Sequence, residues 1–280
     1  MGNVIISAFA DEYADSFAEQ LRGLSEFGIR YVELRHLNRK NISVLTEGEV
    51  KEAKRMLDDS GIRVSAMGSP LGKIPLGGDM PEHLETARRI FESANLLDTK
   101  FVRIFSFYAP KGKNIADMEG EVLGALEKLV VLAREYGVVL CHENEAKIYG
   151  DVPCRIQKLT AHFGGELKCV FDMGNFVLEG VDPYPEAYER LKKDIAYFHV
   201  KDALAQGAIV PAGKGDAKIK EILSAHRAYA EDDFFVSLEP HLQTFSGLNA
   251  LVGRSFQNPY QYPDQKAAFS DAVLKFKELI

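Results

Sequence analysis

The chain has 280 residues, 46 % hydrophobic and 27 % charged, and its 34 Lys plus Arg against 41 Asp plus Glu leave a net charge of −7. This is the composition of a globular protein, and its acidic balance argues against a nucleic-acid binder, whose phosphate contacts call for a basic face. No apolar run approaches the ~18 residues of a membrane span, the N-terminal stretch turns acidic by Asp11, and Cys141, Cys154 and Cys169 contain no Cys-x-x-Cys spacing, so a disulfide framework and a cysteine zinc site are not expected. A cytoplasmic protein with no membrane and no nucleic-acid partner is the expectation.

The first predicted strand runs from Val4 to Ala10 and passes into Asp11-Glu12-Tyr13 without a glycine-rich phosphate turn. Phe17, Leu21 and Leu24 then fall at i, i+4 and i+7, the apolar face of a helix. Gly28 stops that helix and Ile29 to Leu34 reads as the second strand. Thr46 and Glu49 form a capping box opening the next helix, which Gly61 ends before Ile62-Arg63-Val64-Ser65. Val122, Leu126, Leu129, Ala133 and Tyr136 mark a later amphipathic helix, again ended by a glycine, Gly137, and followed by Val138 to Cys141. Glycine suits all three stops because it takes the left-handed cap without a side-chain penalty.

Strand candidates begin near residues 4, 31, 62, 101, 138, 168, 196 and 234, a mean spacing of about 33 residues, the size of one βα unit. Eight such units predict an α/β fold, a (β/α)8 TIM barrel forming one domain over residues 1–280. A doubly wound sheet is the runner-up. The irregular stretch 240–263 after the eighth strand is a candidate lid or subunit contact, and a homo-oligomer is in keeping with it.

In such a barrel the chemistry sits at the C-terminal ends of the strands. Strands five to eight end in Glu143, Asp172, His199 and Glu239, separated by 29, 27 and 40 residues. Three carboxylates and one imidazole suit one divalent cation, Mn²⁺, Mg²⁺, Co²⁺ or Zn²⁺. The competing reading makes two or three of them helix N-caps or solvated loop acids. Strand alternation places Lys201 on the face of His199 and Glu33 on the face of Arg35. Arg103 lies in an apolar strand and needs a pocket or an interlayer salt bridge. Gly213-Lys214-Gly215 is either a close backbone approach to a ligand or a plain turn. His36, His142 and His241 are placed near the site; His83, His162 and His226, in helical stretches, are expected on the surface.

The segments His-Glu-Asn-Glu at 142–145, Phe-Asp-Met-Gly-Asn-Phe at 171–176, His-Val-Lys-Asp at 199–202, Pro-Ala-Gly-Lys-Gly-Asp at 211–216 and Leu-Glu-Pro-His at 238–241 resemble the sugar phosphate isomerase/epimerase family, the xylose-isomerase-like TIM barrels. The resemblance implies one divalent metal held by Glu143, Asp172, His199 and Glu239, with Glu143 and Glu239 also serving as acid and base. Two positions depart from the family's free-ketose epimerases: Asn175 stands where they carry His, and no Arg occurs between His199 and Asp216.

The chemistry expected of such a site is proton transfer beside a carbonyl of a keto-sugar or polyol-derived substrate. Glu33, Arg103, Lys201, His241 and Asn175 are the expected substrate contacts, and the expected partner is a small neutral sugar or polyol. A dehydratase acting on a keto-cyclitol or keto-sugar is the alternative on the same site. Alternatives of another class are an endonuclease-IV-like DNA repair enzyme, which needs a three-metal cluster and more histidines, and a non-catalytic sugar-binding barrel.

Overall fold

The computed structural model describes residues 1–242 and 259–280. Eight parallel strands form the sheet: β1 (Val4–Ala8), β2 (Tyr31–Leu34), β3 (Arg63–Met67), β4 (Phe101–Ile104), β5 (Val139–Glu143), β6 (Leu167–Asp172), β7 (Ile195–Val200) and β8 (Phe234–Leu238). Hydrogen-bonded ladders join them in the order β1-β8-β7-β6-β5-β4-β3-β2. The two end strands lie side by side, so the barrel is nearly closed. Side chains tie that seam: Ser7 and Ser65 share a 2.7 Å hydroxyl contact, and Ser65 Oγ donates to the Val32 carbonyl at 3.2 Å.

Helices fill the connections, α1 (Phe17–Glu26), α2 (Glu47–Ser60), α3 (Met80–Leu96), α4 (Glu119–Tyr136), α5 (Pro153–His162), two short helices α6 (Met173–Leu178) and α7 (Tyr188–Leu191), then α8 (Ile219–Tyr229) and α9 (Gln265–Lys277). The stops are where the glycine pattern puts them. Gly28, Gly61 and Gly137 have φ of 67°, 65° and 66°, the left-handed region that penalises any Cβ. Thr46 and Glu49 make both bonds of the capping box at the start of α2.

Alternation along each strand sorts the side chains into two cores. Outward residues such as Val102, Leu140 and Phe171 join the helices in the main core. Inward residues Ala66, Cys141, Val170 and Tyr197 form a smaller core inside the barrel. Above that inner core, toward the strands' C-terminal ends, Glu33, Arg103, Glu143, Asp172, His199 and Lys201 are buried.

Two expectations about histidines are corrected. His83 and His226 are buried rather than on the surface. His83 Nε2 accepts the Gly72 N–H at 3.0 Å, anchoring the loop after β3 to α3. His226 packs edge-on against Phe198 and Phe234 and meets the Tyr188 hydroxyl at 3.3 Å. Helical periodicity identifies a buried face, but His is polar and is not counted on it. The stretch 240–263 falls largely on residues 243–258, outside the described residues.

Candidate metal centre

Glu143, Asp172, His199 and Glu239 come from the ends of four consecutive strands and converge. Each offers one donor atom, and those atoms all lie within 4.8 Å of one another. His199 Nδ1 is the common neighbour, 3.1 Å from Glu143 Oε1, 3.6 Å from Glu239 Oε2 and 3.9 Å from Asp172 Oδ2. Asp172 serves as a helix cap as well: Oδ1 accepts the Asn175 N–H at 2.7 Å, which opens α6, while Oδ2 faces the cluster. The backbone at this point is fixed by Asn144, which accepts from the Asp172 N–H and donates to the Asp172 carbonyl, both at 2.9 Å.

The donor set fits a hard or borderline divalent cation: three carboxylates and an imidazole, buried and close-set. Glu143 Oε2 adds a sign of the same kind, since it is buried without a hydrogen-bond donor. Arg103 Nη1 is 3.1 Å from it as an ion pair off the hydrogen-bond direction.

Cations surround the acids. Lys201 Nζ lies 3.1 Å from each of Asp172 Oδ2, Glu239 Oε2 and Asn175 Oδ1. Arg103 also sits 3.7 Å from Glu239 Oε1 and donates to the Gly68 carbonyl at 3.1 Å. Asn175 Nδ2 donates to the Asn144 carbonyl at 2.8 Å and reaches Glu143 Oε1 at 3.4 Å. Burial opposes ionisation of all these groups, and their neighbours decide the outcome. At Glu143, His199 and Arg103 win and hold the carboxyl down at about 2. At Asp172 burial wins over Lys201, and the carboxyl is pushed up to about 7. At His199, Glu33 and Glu143 overcome burial and raise the imidazole to about 10.

Glu33 lies deeper than the four converging residues, with its oxygens 2.9 Å from the Tyr197 hydroxyl and 3.0 Å from His199 Nε2. His241 lies at the outer edge, 3.5 Å from Glu239 and 3.3 Å from Glu12. His36 is further out and contacts Asp11 at 2.8 Å. His142 is on the opposite face of β5 from Glu143, bonded to Ser106 at 2.9 Å, and therefore outside the cluster.

Arg35, placed from sequence only on the face of Glu33, joins the cluster with three participants not singled out, Asp11, Glu12 and Phe9. Arg35 donates to Glu239 at 2.8 Å and also grips Asp11 and Glu12. Phe9, fully buried, packs its ring against His199 at 5.1 Å and under the Arg35 guanidinium at 4.4 Å. The signal for the three charged residues was the strand-end rule, applied to the ends of β1 and β2; nothing in the sequence distinguishes Phe9 from other core aromatics. The Arg35 side chain is 17 % and that of His241 39 % exposed, against 4 % for Glu239, so the cluster's open side lies toward them.

The Gly213-Lys214-Gly215 segment closes on the protein rather than presenting its backbone to a ligand. Asp202 Oδ2 accepts the N–H groups of Gly213 and Gly215 at 2.8 and 3.0 Å, and Oδ1 those of Ala203 and Ala217 at 3.0 and 3.1 Å. A Cβ on Gly215 would meet Asp202 Oδ1 at 2.2 Å, so the loop requires glycine there.

Solved structures share this fold at low identity. The probable 3-DHS dehydratase AsbF from Bacillus anthracis aligns with a TM-score of 0.73 and 17 % identity, covering 99 % of both chains. The 3-keto-D-glucoside 4-epimerase YcjR from E. coli gives 0.71 and 14 %, covering 100 % of this chain and 99 % of that one. A xylose isomerase-like TIM barrel protein from Mycobacterium smegmatis in complex with magnesium gives 0.70 and 13 %, covering 100 % and 97 %. Among curated proteins no match was found. The family model for the xylose isomerase-like TIM barrel matches residues 21–257, and the chain belongs to that family.

Proposed function

We propose that this protein is a divalent-metal-dependent isomerase or epimerase acting by proton transfer beside the carbonyl of a neutral keto-sugar or polyol-derived substrate. The observation that carries the reading is that Glu143 and Glu239 flank His199 Nδ1 at 3.1 and 3.6 Å, each directing one oxygen to the cluster and the other to a guanidinium. Together with Asp172 and His199 they would hold one ion, Mn²⁺, Mg²⁺, Co²⁺ or Zn²⁺. When bound, such an ion stabilises negative charge developing on a substrate carbonyl oxygen.

The chain's own groups supply the rest. Glu143 and Glu239 are the proton carriers, one removing the hydrogen beside the carbonyl and the other returning it. Arg103 and Arg35 hold them by ion pairs to Glu143 Oε2 and Glu239 Oε1. Lys201 and Asn175 order the Asp172 side, and His241 stands at the open edge where substrate hydroxyls would enter. Substrate neutrality follows from the pairing: Arg35, Arg103 and Lys201 are each already engaged by carboxylates, which leaves no spare cation for a phosphate among the described residues of the cluster.

The test is hydrogen exchange and turnover in deuterated water with a panel of ketoses, free and phosphorylated, in the presence of each of the four ions. Deuterium entering the carbon beside the carbonyl with a change of configuration supports the reading. Loss of water instead identifies a dehydratase on the same centre. One bound ion per chain with neither outcome across the panel leaves a sugar-binding barrel, and three ions per chain would favour the nuclease class.

A further inference from the structure

Glu33 is the carboxylate that the proton-transfer chemistry does not use. Its side chain is 0 % exposed and it stands inside the barrel, below the converging four. An ionised carboxylate there needs a donor on each oxygen. The Tyr197 hydroxyl serves Oε1 at 2.9 Å. The group facing Oε2 is His199 Nε2, at 3.0 Å, and among the described residues His199 is its only ion-pair partner. A carboxylate oxygen only accepts, so the Nε2 position must carry the proton. The opposite ring nitrogen, Nδ1, faces Glu143 Oε1 at 3.1 Å and is the one turned toward Glu143, Glu239 and Asp172; without an ion it too carries a proton, which a bound cation would displace, whereas Nε2, held by Glu33 away from those three, keeps its own. The Phe9 ring, edge-on to the imidazole at 5.1 Å, restricts rotation of the ring.

We infer that Glu33, itself oriented by Tyr197, is the positioning residue of the metal centre: it keeps the proton on His199 Nε2 and so presents Nδ1 as the nitrogen ligand. This role differs from the substrate contact expected from the position of Glu33 at a strand end, and it rests on the metal-centre reading above. Outer partners of this kind tune affinity through the orientation of the ligand, typically by about 10–100-fold.

The experiment titrates Mn²⁺ into the full-length, metal-stripped protein by calorimetry. The native protein should bind one ion. Glu33→Ala should weaken binding by about 10–100-fold. Glu33→Gln, which retains an amide oxygen able to accept from Nε2, should fall between the two, and Tyr197→Phe should lose less than Glu33→Ala. A melting curve without metal reports whether each variant is folded. A second readout needs no variant: nitrogen NMR of the native Zn²⁺-loaded protein should show His199 protonated at Nε2 and metal-bound at Nδ1. If folded Glu33→Ala binds Mn²⁺ as tightly as the native protein, or the metal sits on Nε2, the assignment is overturned while the metal centre stands. A native protein that binds no divalent ion overturns both.

Discussion

Replacing Lys201 by Met tests the charge balance of the centre. Met has nearly the same volume and length, so the cavity is little changed and the ammonium is lost. Lys201 Nζ is 3.1 Å from both Asp172 Oδ2 and Glu239 Oε2, with its side chain 4 % exposed. Removing one partner of a buried pair costs about 3–5 kcal/mol, because the other charge is left without compensation. Protonation sets an upper limit on that cost. Asp172 already stands at about 7, against an ordinary 3.8, and without Lys201 it would take up a proton at neutral pH. Protonating a carboxyl that already stands at about 7 costs only roughly 1.4 kcal/mol at pH 8, so the loss should settle near about 1–2 kcal/mol. For a chain of this size that corresponds to a fall in melting temperature of about 2–4 °C. The assay is a thermal melt of both proteins in chelator and again with saturating Mn²⁺. The deficit should be largest in chelator at pH 8, should shrink toward pH 5 as Asp172 is neutralised in both proteins, and should shrink again when the ion replaces the missing charge. Equal melting temperatures in chelator at pH 8 would refute the reasoning, because the two carboxylates would then not depend on Lys201.

Strand positions were legible to within a residue or so because several βα units repeat the same physical punctuation, clearest at Gly28, Gly61 and Gly137: an apolar helical face, a glycine that goes left-handed, then a buried β-branched or aromatic run. The convergence of Glu143, Asp172, His199 and Glu239 was legible for a related reason. Parallel strands in one barrel end on one face, so polar residues spaced by one unit meet. What could not be read was depth. Glu33, Tyr197 and His199 occupy successive levels of the interior, and alternation gives the face of a residue but not its level. Asp11 and Glu12 were hidden because β1 ends at Ala8 and a short 3-10 turn, Ala10–Glu12, carries them toward Arg35. Asp202 was hidden for another reason: its four partners are backbone N–H groups from a loop up to fifteen residues away, and a backbone donor leaves no mark on side-chain pattern.

Three further outcomes are expected. The imidazole of His226, pushed down by burial to about 4 from an ordinary 6.5, refuses a proton that the unfolded chain accepts; stability is therefore complete above about pH 6.5 and is lost as pH falls toward 4. His226→Phe should flatten that part of the melting-temperature profile, and an unchanged slope would show that another group controls it. Asp172→Asn should lose metal affinity before catalytic competence, so that added Mn²⁺ restores part of the activity; activity that stays absent at saturating metal would give Asp172 a part in the proton transfer itself. Glu143→Gln and Glu239→Gln carry the most information about mechanism. Each keeps side-chain volume and removes a proton carrier, so turnover should fall by at least roughly 10²–10⁴-fold at saturating metal. The two glutamates reach His199 from different strands, β5 and the end of β8, and the proposed reading has them act on opposite sides of the substrate. With one of them changed, the other can still lift a proton and return it to the same side. Deuterium exchange without inversion should then survive for one epimer in the first variant and for the opposite epimer in the second. If both variants keep near-native rates once saturated with metal, neither glutamate carries the proton, and His241 and Lys201, 3.5 and 3.1 Å from Glu239, become the groups to change next.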